Sequence, residues 1–162
     1  MDPGYGEQYR TLYEKHWWWR AREAVVLREL DRIRPTDGWH RALDVGCGDG
    51  LLLDALEGYA RSVEGVEPDS GLVSEARAHR IHIRPFDSTF QPGHPYDLMV
   101  FLDVLEHIDD AESAVAHAAT LLDDGGSVLV TVPAFMHLWT THDDLNRHVT
   151  RYTRRRLVDL LS

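Results

Sequence analysis

The 162 residues hold 27 acidic against 17 basic side chains, a formal net charge of −10, so the chain repels a phosphate backbone and general nucleic-acid binding is excluded. With 43% hydrophobic residues there is material for one domain with its own core and not for two. The single cysteine, Cys47, forms no internal disulfide, and no apolar signal segment or span of about 20 residues is visible, so the expectation is a protein of a reducing cytoplasm without a membrane partner.

The first segment, Tyr5 to Arg34, is helical in pattern, with Val26, Leu30 and Ile33 on one face, and Arg34 to Gly38 breaks it. Tyr5, Tyr9 and Tyr13 form an aromatic stripe suited to helix packing. Within Glu14 to Arg22 three consecutive tryptophans cannot share one helix face, so at least one packs outside the core, over a ligand or against a partner. After the break, strands are predicted near 42–45, 62–66, 81–84, 98–102 and 127–132. Helices are predicted near 50–59, 70–79, 111–122 and 153–161. Such alternation builds an α/β fold, a parallel sheet with right-handed crossovers and helices on both faces, and ligands sit at the carboxyl ends of its strands. The basic run Arg151 to Arg156 reads as a solvated helix face.

The stretch Ala42 to Leu53, ALDVGCGDGLLL, locates a pocket: an apolar strand stops in a turn with glycine at 46, 48 and 50, which lets a ligand approach the main chain. Asp49 is expected to cap the helix that follows. A dinucleotide is disfavoured, because Asp44 and Asp49 flank the place its pyrophosphate would occupy. Like charges a few ångströms apart cost on the order of 4 kcal/mol at an intermediate dielectric. Leu51 also stands where the dinucleotide fingerprint wants its third glycine. A cationic ligand fits the turn better.

LDVGCGDG, GVEPD (65–69), the Phe86-Asp87 pair, YDLMVFLDVLEHI (96–108) and GGSVLVTVP (125–133) occur in that order, and together they resemble the class I S-adenosylmethionine-dependent methyltransferases. The resemblance covers roughly Leu43 to Pro133. It implies a Rossmann-like sheet in the order 3-2-1-4-5, with S-adenosylmethionine at the glycine turn beside Gly46, Cys47 and Gly48. Asp44 would lend charge near the methionyl ammonium, and Glu67, followed by Pro68, would take the ribose hydroxyls. Asp87 and Ser88 would take the adenine, and Leu102 and Asp103 would lie under the sulfonium, with Leu105 packed below. It divides the single domain into a helical cap (1–38), a cofactor-binding core (39–133) and an acceptor-side segment with a terminal helix (134–162).

Methyl transfer asks little acid–base chemistry of the protein, but an oxygen or nitrogen acceptor loses a proton, for which histidine is suited. Among ten histidines His107 is best placed, after the fourth strand. His148 and His142 lie in LWTTHDDLNRHVTRY (138–152), which resembles a segment of the ubiquinone-pathway-like bacterial methyltransferases and is expected to fold over the pocket with Asp143, Arg151 and Tyr152. Asp103, Glu106, His107 and His148 also resemble the ligand set of metal-dependent small-RNA 2′-O-methyltransferases. The acidic surface argues against RNA, and no metal is expected. The reading is therefore a methyltransferase acting on oxygen, nitrogen or carbon of a small molecule. The alternatives are a cofactor-binding module without activity that assembles with a partner subunit, and a metal-dependent O-methyltransferase. The family has seven strands and five are predicted here, without the final hairpin. That leaves the fifth strand as an open edge and the apolar residues Leu157, Val158, Leu160 and Leu161 in want of a partner surface, the basis for expecting a homodimer or partner subunit.

Overall fold

The computed structural model describes residues 15–162. The stripe Tyr5, Tyr9 and Tyr13, and Glu14, lie outside them. Helix α1 (Trp17–Ile33) starts at His16, whose imidazole accepts from the Trp18 N–H at 3.3 Å. Strand β1 (Trp39–Val45) follows, then a four-residue helix α2 (Leu53–Leu56), β2 (Ala60–Glu67), the short β3 (Ile81–Ile83) and β4 (Tyr96–Leu102). Helix α3 (Ala111–Leu121) leads directly into β5 (Leu122–Thr131), and the chain ends through α4 (Thr141–Asn146) and α5 (Arg154–Leu160).

All strand pairs are parallel and the sheet order is β3-β2-β1-β4-β5. Strand order reverses between β1 and β4, and the crevice that opens there beyond their carboxyl ends is the ligand position of such sheets. Each face of the sheet has its own core. Val26 and Leu30 of α1 and Leu53 and Leu56 of α2 cover one face against Ala42, Leu98 and Val100. Ala118 and Leu121 of α3, with Leu157 and Leu160 of α5, cover the other against Leu43, Val45, Met99 and Phe101. Burial from both sides explains why β1 and β4 read as apolar runs and not as alternations.

The helices predicted at 50–59 and 70–79 are largely absent. Gly50 has a left-handed φ of 68°, and helical backbone survives only over Leu53–Leu56 before Gly58 turns back to the Ala55 carbonyl at 3.1 Å. Between 70 and 79 side chains take two backbone donors, Gly71 N–H by the Asp69 carboxylate (2.9 Å) and Ser74 N–H by Asp49 (2.6 Å), while Leu72, Val73, Arg77 and Ala78 close only isolated turns before the 3-10 turn at Ala78–Arg80. Asp49 is thus spent on Ser74 and caps no helix, contrary to the expectation, because α2 begins four residues after it. Ile33, expected on the buried face of α1, is 45% exposed, since the helix leaves the sheet at its last turn. Trp17 and Trp18 are exposed as well, and Trp19 is half-buried.

Pro133 to Tyr152 returns along the carboxyl end of the sheet. The Tyr152 N–H donates to the Pro133 carbonyl (2.9 Å), Phe135 N–H to the Tyr152 carbonyl (2.8 Å) and Val149 N–H to the Glu106 carbonyl (2.8 Å). The Tyr152 hydroxyl, fully inside, donates to the Leu105 carbonyl at 3.1 Å, so this tyrosine anchors the segment and does not face the cleft. Among the described residues β5 pairs with β4 alone, and no helix is long and apolar enough to cross a membrane. Val158 and Leu161 of the terminal segment remain exposed, while Leu157 and Leu160 pack on the core.

The turn after β1 lies against β2 at Gly65, where the Cys47 sulfur occupies the space a Cβ would take. Replacing Gly65 with Ala is expected to cost about 1–3 kcal/mol through overpacking. Adding Cys47→Ala to Gly65→Ala should recover most of that loss. Urea unfolding of the two variants checks it, and an additive pair would show that the contact is not the cause.

Candidate functional site

The glycine turn is fixed by β2: the Gly46 and Cys47 N–H groups both donate to the Val66 carbonyl, at 2.8 and 3.3 Å. Gly46 has φ 69°, and a Cβ there would lie 2.7 Å from Val104, so only glycine lets the turn pass under the loop after β4. Between these walls, at the carboxyl ends of β1, β2 and β4, opens a cleft of about 430 Å³. It is lined by Gly46, Gly48, Asp49, Glu67, Pro68, Leu72, Pro85, Phe86, Asp103, Val104, His107 and Ile108, with Val45 at its floor. A smaller cavity of about 40 Å³ shares Gly46 and is lined by Arg22, Val26, Asp44, Cys47, Leu51 and Leu102 among others.

Carboxylates surround the turn, and each is handled differently. Glu67, buried, accepts from the N–H groups of Gly48 (3.0 Å) and Asp69 (2.9 Å). Burial raises its pKa and these two donors oppose the rise. An ionised carboxylate has about four acceptor positions, so two remain for a ligand in the cleft. Asp44 is pushed up to about 7 by burial, with Arg22 opposing and Glu67 adding to the rise. Asp103 has a left-handed φ of 56°; one oxygen meets Arg22 at 2.6 Å and the other accepts from the Thr131 hydroxyl at 2.9 Å. The same guanidinium lies 5.5 Å from the Trp19 ring centroid. Burial, then the Asp44 and Glu67 charges, push the Cys47 thiol up, which makes it unreactive.

The expected site residues separate into two sets. Gly46, Gly48, Glu67, Pro68, Asp103 and His107 wall the cleft, and Asp44, Cys47 and Leu102 wall the cavity behind it. Asp87 and Ser88 are exposed and line neither: the Asp87 carboxylate accepts from the Thr89 N–H (2.8 Å) and hydroxyl (2.6 Å), bonds that hold its pKa down. Pro85 and Phe86 form the wall there instead. Leu105 is fully buried in the core beneath. Arg22 escaped the sequence reading. Its signal is a basic residue within the tryptophan-rich capping segment, but the pattern alone does not choose Arg22 over Arg20.

His107 ends the 3-10 turn Leu105–His107 and stands on the cleft wall. Desolvation of its ring and the neighbouring His148 lower its pKa, against the Asp103 charge and a hydrogen bond with the Asn146 backbone. The His107 and His148 rings are edge-on with centroids 4.7 Å apart, and His148 Nδ1 lies 2.8 Å from Asp143. His142 is exposed, with its centroid 6.5 Å from that of His148. Glu106 is wholly buried, and among the described residues neither carboxyl oxygen has a hydrogen-bond partner. Burial pushes its pKa to about 8, so it is a neutral acid at pH 7. Glu106, His107 and His148 each offer a ligand atom within 4.8 Å of the others. They could hold a divalent cation once Glu106 gave up its proton.

A family model described as a methyltransferase domain matches residues 18–162. The ubiquinone biosynthesis O-methyltransferase of Thiobacillus denitrificans is 28% identical over 84% of this chain and 60% of its own length. That of Burkholderia cenocepacia is 26% identical over 93% of this chain and 66% of its own. The chain thus spans about two thirds or less of these relatives. Among solved structures, the N-methyltransferase NodS of Bradyrhizobium japonicum, in complex with S-adenosyl-L-homocysteine, superposes with a TM-score of 0.71 at 16% identity, covering 92% of this chain and 76% of that one.

The raised pKa of Asp44 has a stability consequence. Because the folded value, about 7, lies above the unfolded one of about 4, the contribution of Asp44 is intact below pH 4 and is lost as pH rises through 7. Asp44→Asn should remove that loss and stabilise the ligand-free chain at pH 8 by on the order of a few kcal/mol, with little change at pH 4. Urea unfolding at the two pH values reads it.

Proposed function

The chain belongs to the methyltransferase-domain family, and on that premise we propose that it binds S-adenosylmethionine in the cleft and methylates a small-molecule acceptor. The observation that carries this reading is the ring of Asp44, Asp49, Glu67 and Asp103 about the glycine turn, which suits a cationic ligand and repels a pyrophosphate. When bound, S-adenosylmethionine supplies a methyl group on a positively charged sulfur. Glu67 accepts from the ribose hydroxyls with its two free acceptor positions. Pro68, Leu72, Pro85, Phe86 and Ile108 give the cleft an apolar wall that an adenine ring fills, and Asp87 and Ser88 take part only if their loop turns inward. Asp44, held ionised by a nearby ammonium, and the Gly46 and Gly48 main chain serve the methionyl amine, while Arg22 serves the carboxylate.

His107 receives the acceptor proton at the cleft wall; its lowered pKa keeps the imidazole unprotonated at neutral pH. His148 stands behind it, and His142, exposed, is left outside the proton path. An oxygen acceptor is the case that the names of the relatives support. Residues 1–38, 39–133 and 134–162 act in this reading as cap, cofactor core and acceptor side of one domain.

Calorimetry should show S-adenosylhomocysteine binding and no heat with NAD, and Glu67→Ala should weaken the binding by about 1–3 kcal/mol. Binding of NAD, or an unchanged affinity in the variant, would overturn the pocket assignment. With labelled S-adenosylmethionine and a panel of simple phenols and amines, His107→Ala should lower turnover roughly 10²–10⁴-fold at nearly constant cofactor affinity. Chelation should leave the wild type active. Loss of activity on chelation, with rescue by Mg²⁺, would assign Glu106, His107 and His148 to a cation instead.

A further inference from the structure

Asp143 lines neither the cleft nor the cavity behind it, yet it is fully buried and five polar atoms converge on it. Arg151 spans the carboxylate with Nε on Oδ1 at 2.7 Å and Nη2 on Oδ2 at 2.8 Å. Oδ2 also accepts from the Thr140 N–H (2.8 Å) and hydroxyl (3.2 Å), closing the capping box of α4. The fifth is His148 Nδ1, 2.8 Å from Oδ1. The spacing has a cause in the backbone. Arg147 ends α4 in the left-handed conformation, φ 59°, which brings the His148 N–H back onto the Asp143 carbonyl at 2.9 Å and sets its ring beside the carboxylate.

An ionised carboxylate only accepts, so the nitrogen facing it must carry a proton. The bidentate Arg151 is the main cause of the depressed Asp143 pKa, and it keeps the group ionised. A neutral His148 with its proton on Nε2 would set two lone pairs against each other across 2.8 Å. We propose that Asp143, locked by Arg151, is a positioning residue that fixes His148 as the Nδ1–H tautomer and leaves the Nε2 lone pair for the acceptor side of the cleft. The placement is what such a role needs: His148 is nearly buried, packs edge-on to His107 at 4.7 Å, and its neighbour Val149 is bonded to the Glu106 carbonyl in the same turn as His107. The assignment of that lone pair to the acceptor side rests on reading the cleft as a methyl-transfer site. The tautomer itself does not.

The test is the tautomer of His148, read from ¹⁵N-histidine-labelled full chain by long-range ¹H–¹⁵N correlation at a fixed pH of about 8, above the unperturbed imidazole range. His148→Gln assigns the signals. The expected result is Nδ1–H in the wild type and a tautomer ratio shifted about tenfold or more toward Nε2–H in Asp143→Asn, with S-adenosylhomocysteine affinity held within about twofold. Thr140→Ala, which weakens the helix cap and keeps the carboxylate, should lower stability and leave the tautomer unchanged, separating positioning from folding. An Nε2–H wild type, or an unshifted ratio in Asp143→Asn, overturns the proposal. If Asp143→Asn does not fold, the wild type and Arg151→Lys decide: Nδ1–H in both supports it, and Nε2–H in the wild type overturns it. Failure of the wild type to bind S-adenosylhomocysteine would instead overturn the methyl-transfer reading, since the tautomer is measured without ligand.

Discussion

Buried negative charge at the carboxyl end of the sheet is the constraint around which this molecule is arranged. Asp44, Asp49, Glu67 and Glu106 are all buried, and taking an ionised carboxylate out of water is costly unless something answers it. The answers differ in kind. Asp49 and Glu67 are met by backbone N–H groups, which requires the glycine turn and the loop after β2 to sit where they do. Among the described residues Asp44 is met at a distance by Arg22, which requires α1 to cross that end of the sheet. The Glu106 carboxyl has no hydrogen-bond partner among the described residues; Arg22 and Arg151 oppose the effect of burial only at a distance, and burial still raises its pKa.

Incomplete compensation is informative because a fold selected only for stability would place apolar side chains at such positions. A site left short of positive charge is one that a cation completes, and the apolar walls at Pro68, Leu72, Phe86 and Ile108 give that cation an uncharged body to go with it. The ion pair of Arg22 with Asp103 belongs to the same economy of charge, joining the capping helix to the loop that follows β4.

The segment after β5 is built on the opposite principle. Asp143 is as buried as Glu106 but fully answered, by Arg151, Thr140 and His148 together. The segment has little apolar burial of its own: Phe135, Met136, Leu138, Leu145 and Val149 are exposed. Its attachment therefore depends on the Tyr152 anchor and on backbone bonds to Pro133 and Glu106, while Asp143 ties Thr140, His148 and Arg151 of the segment to one another. Polar networks of this kind fix orientation more strictly than apolar contact, which is non-directional. That suits the positioning of the His148 ring proposed above.

The sequence by itself determined the strands and the place of the cleft, because strands buried on both faces leave apolar runs and a turn that a ligand must approach leaves glycines; the strand order was implied by the family resemblance alone. It also singled out Glu67 and the LEH turn, which line the cleft, and Asp44, which lines the cavity behind it. Tertiary structure alone decided which side chains meet. The helix expected at 70–79 gave way because Asp49, twenty-five residues away from Ser74, captures its backbone. Arg22 reaches Asp103 across eighty-one positions, and Asp87 turns to Thr89 instead of the cleft. Periodicity records what a residue does for its own element; the partners of a buried charge are chosen by packing between distant elements, and no local pattern carries that information.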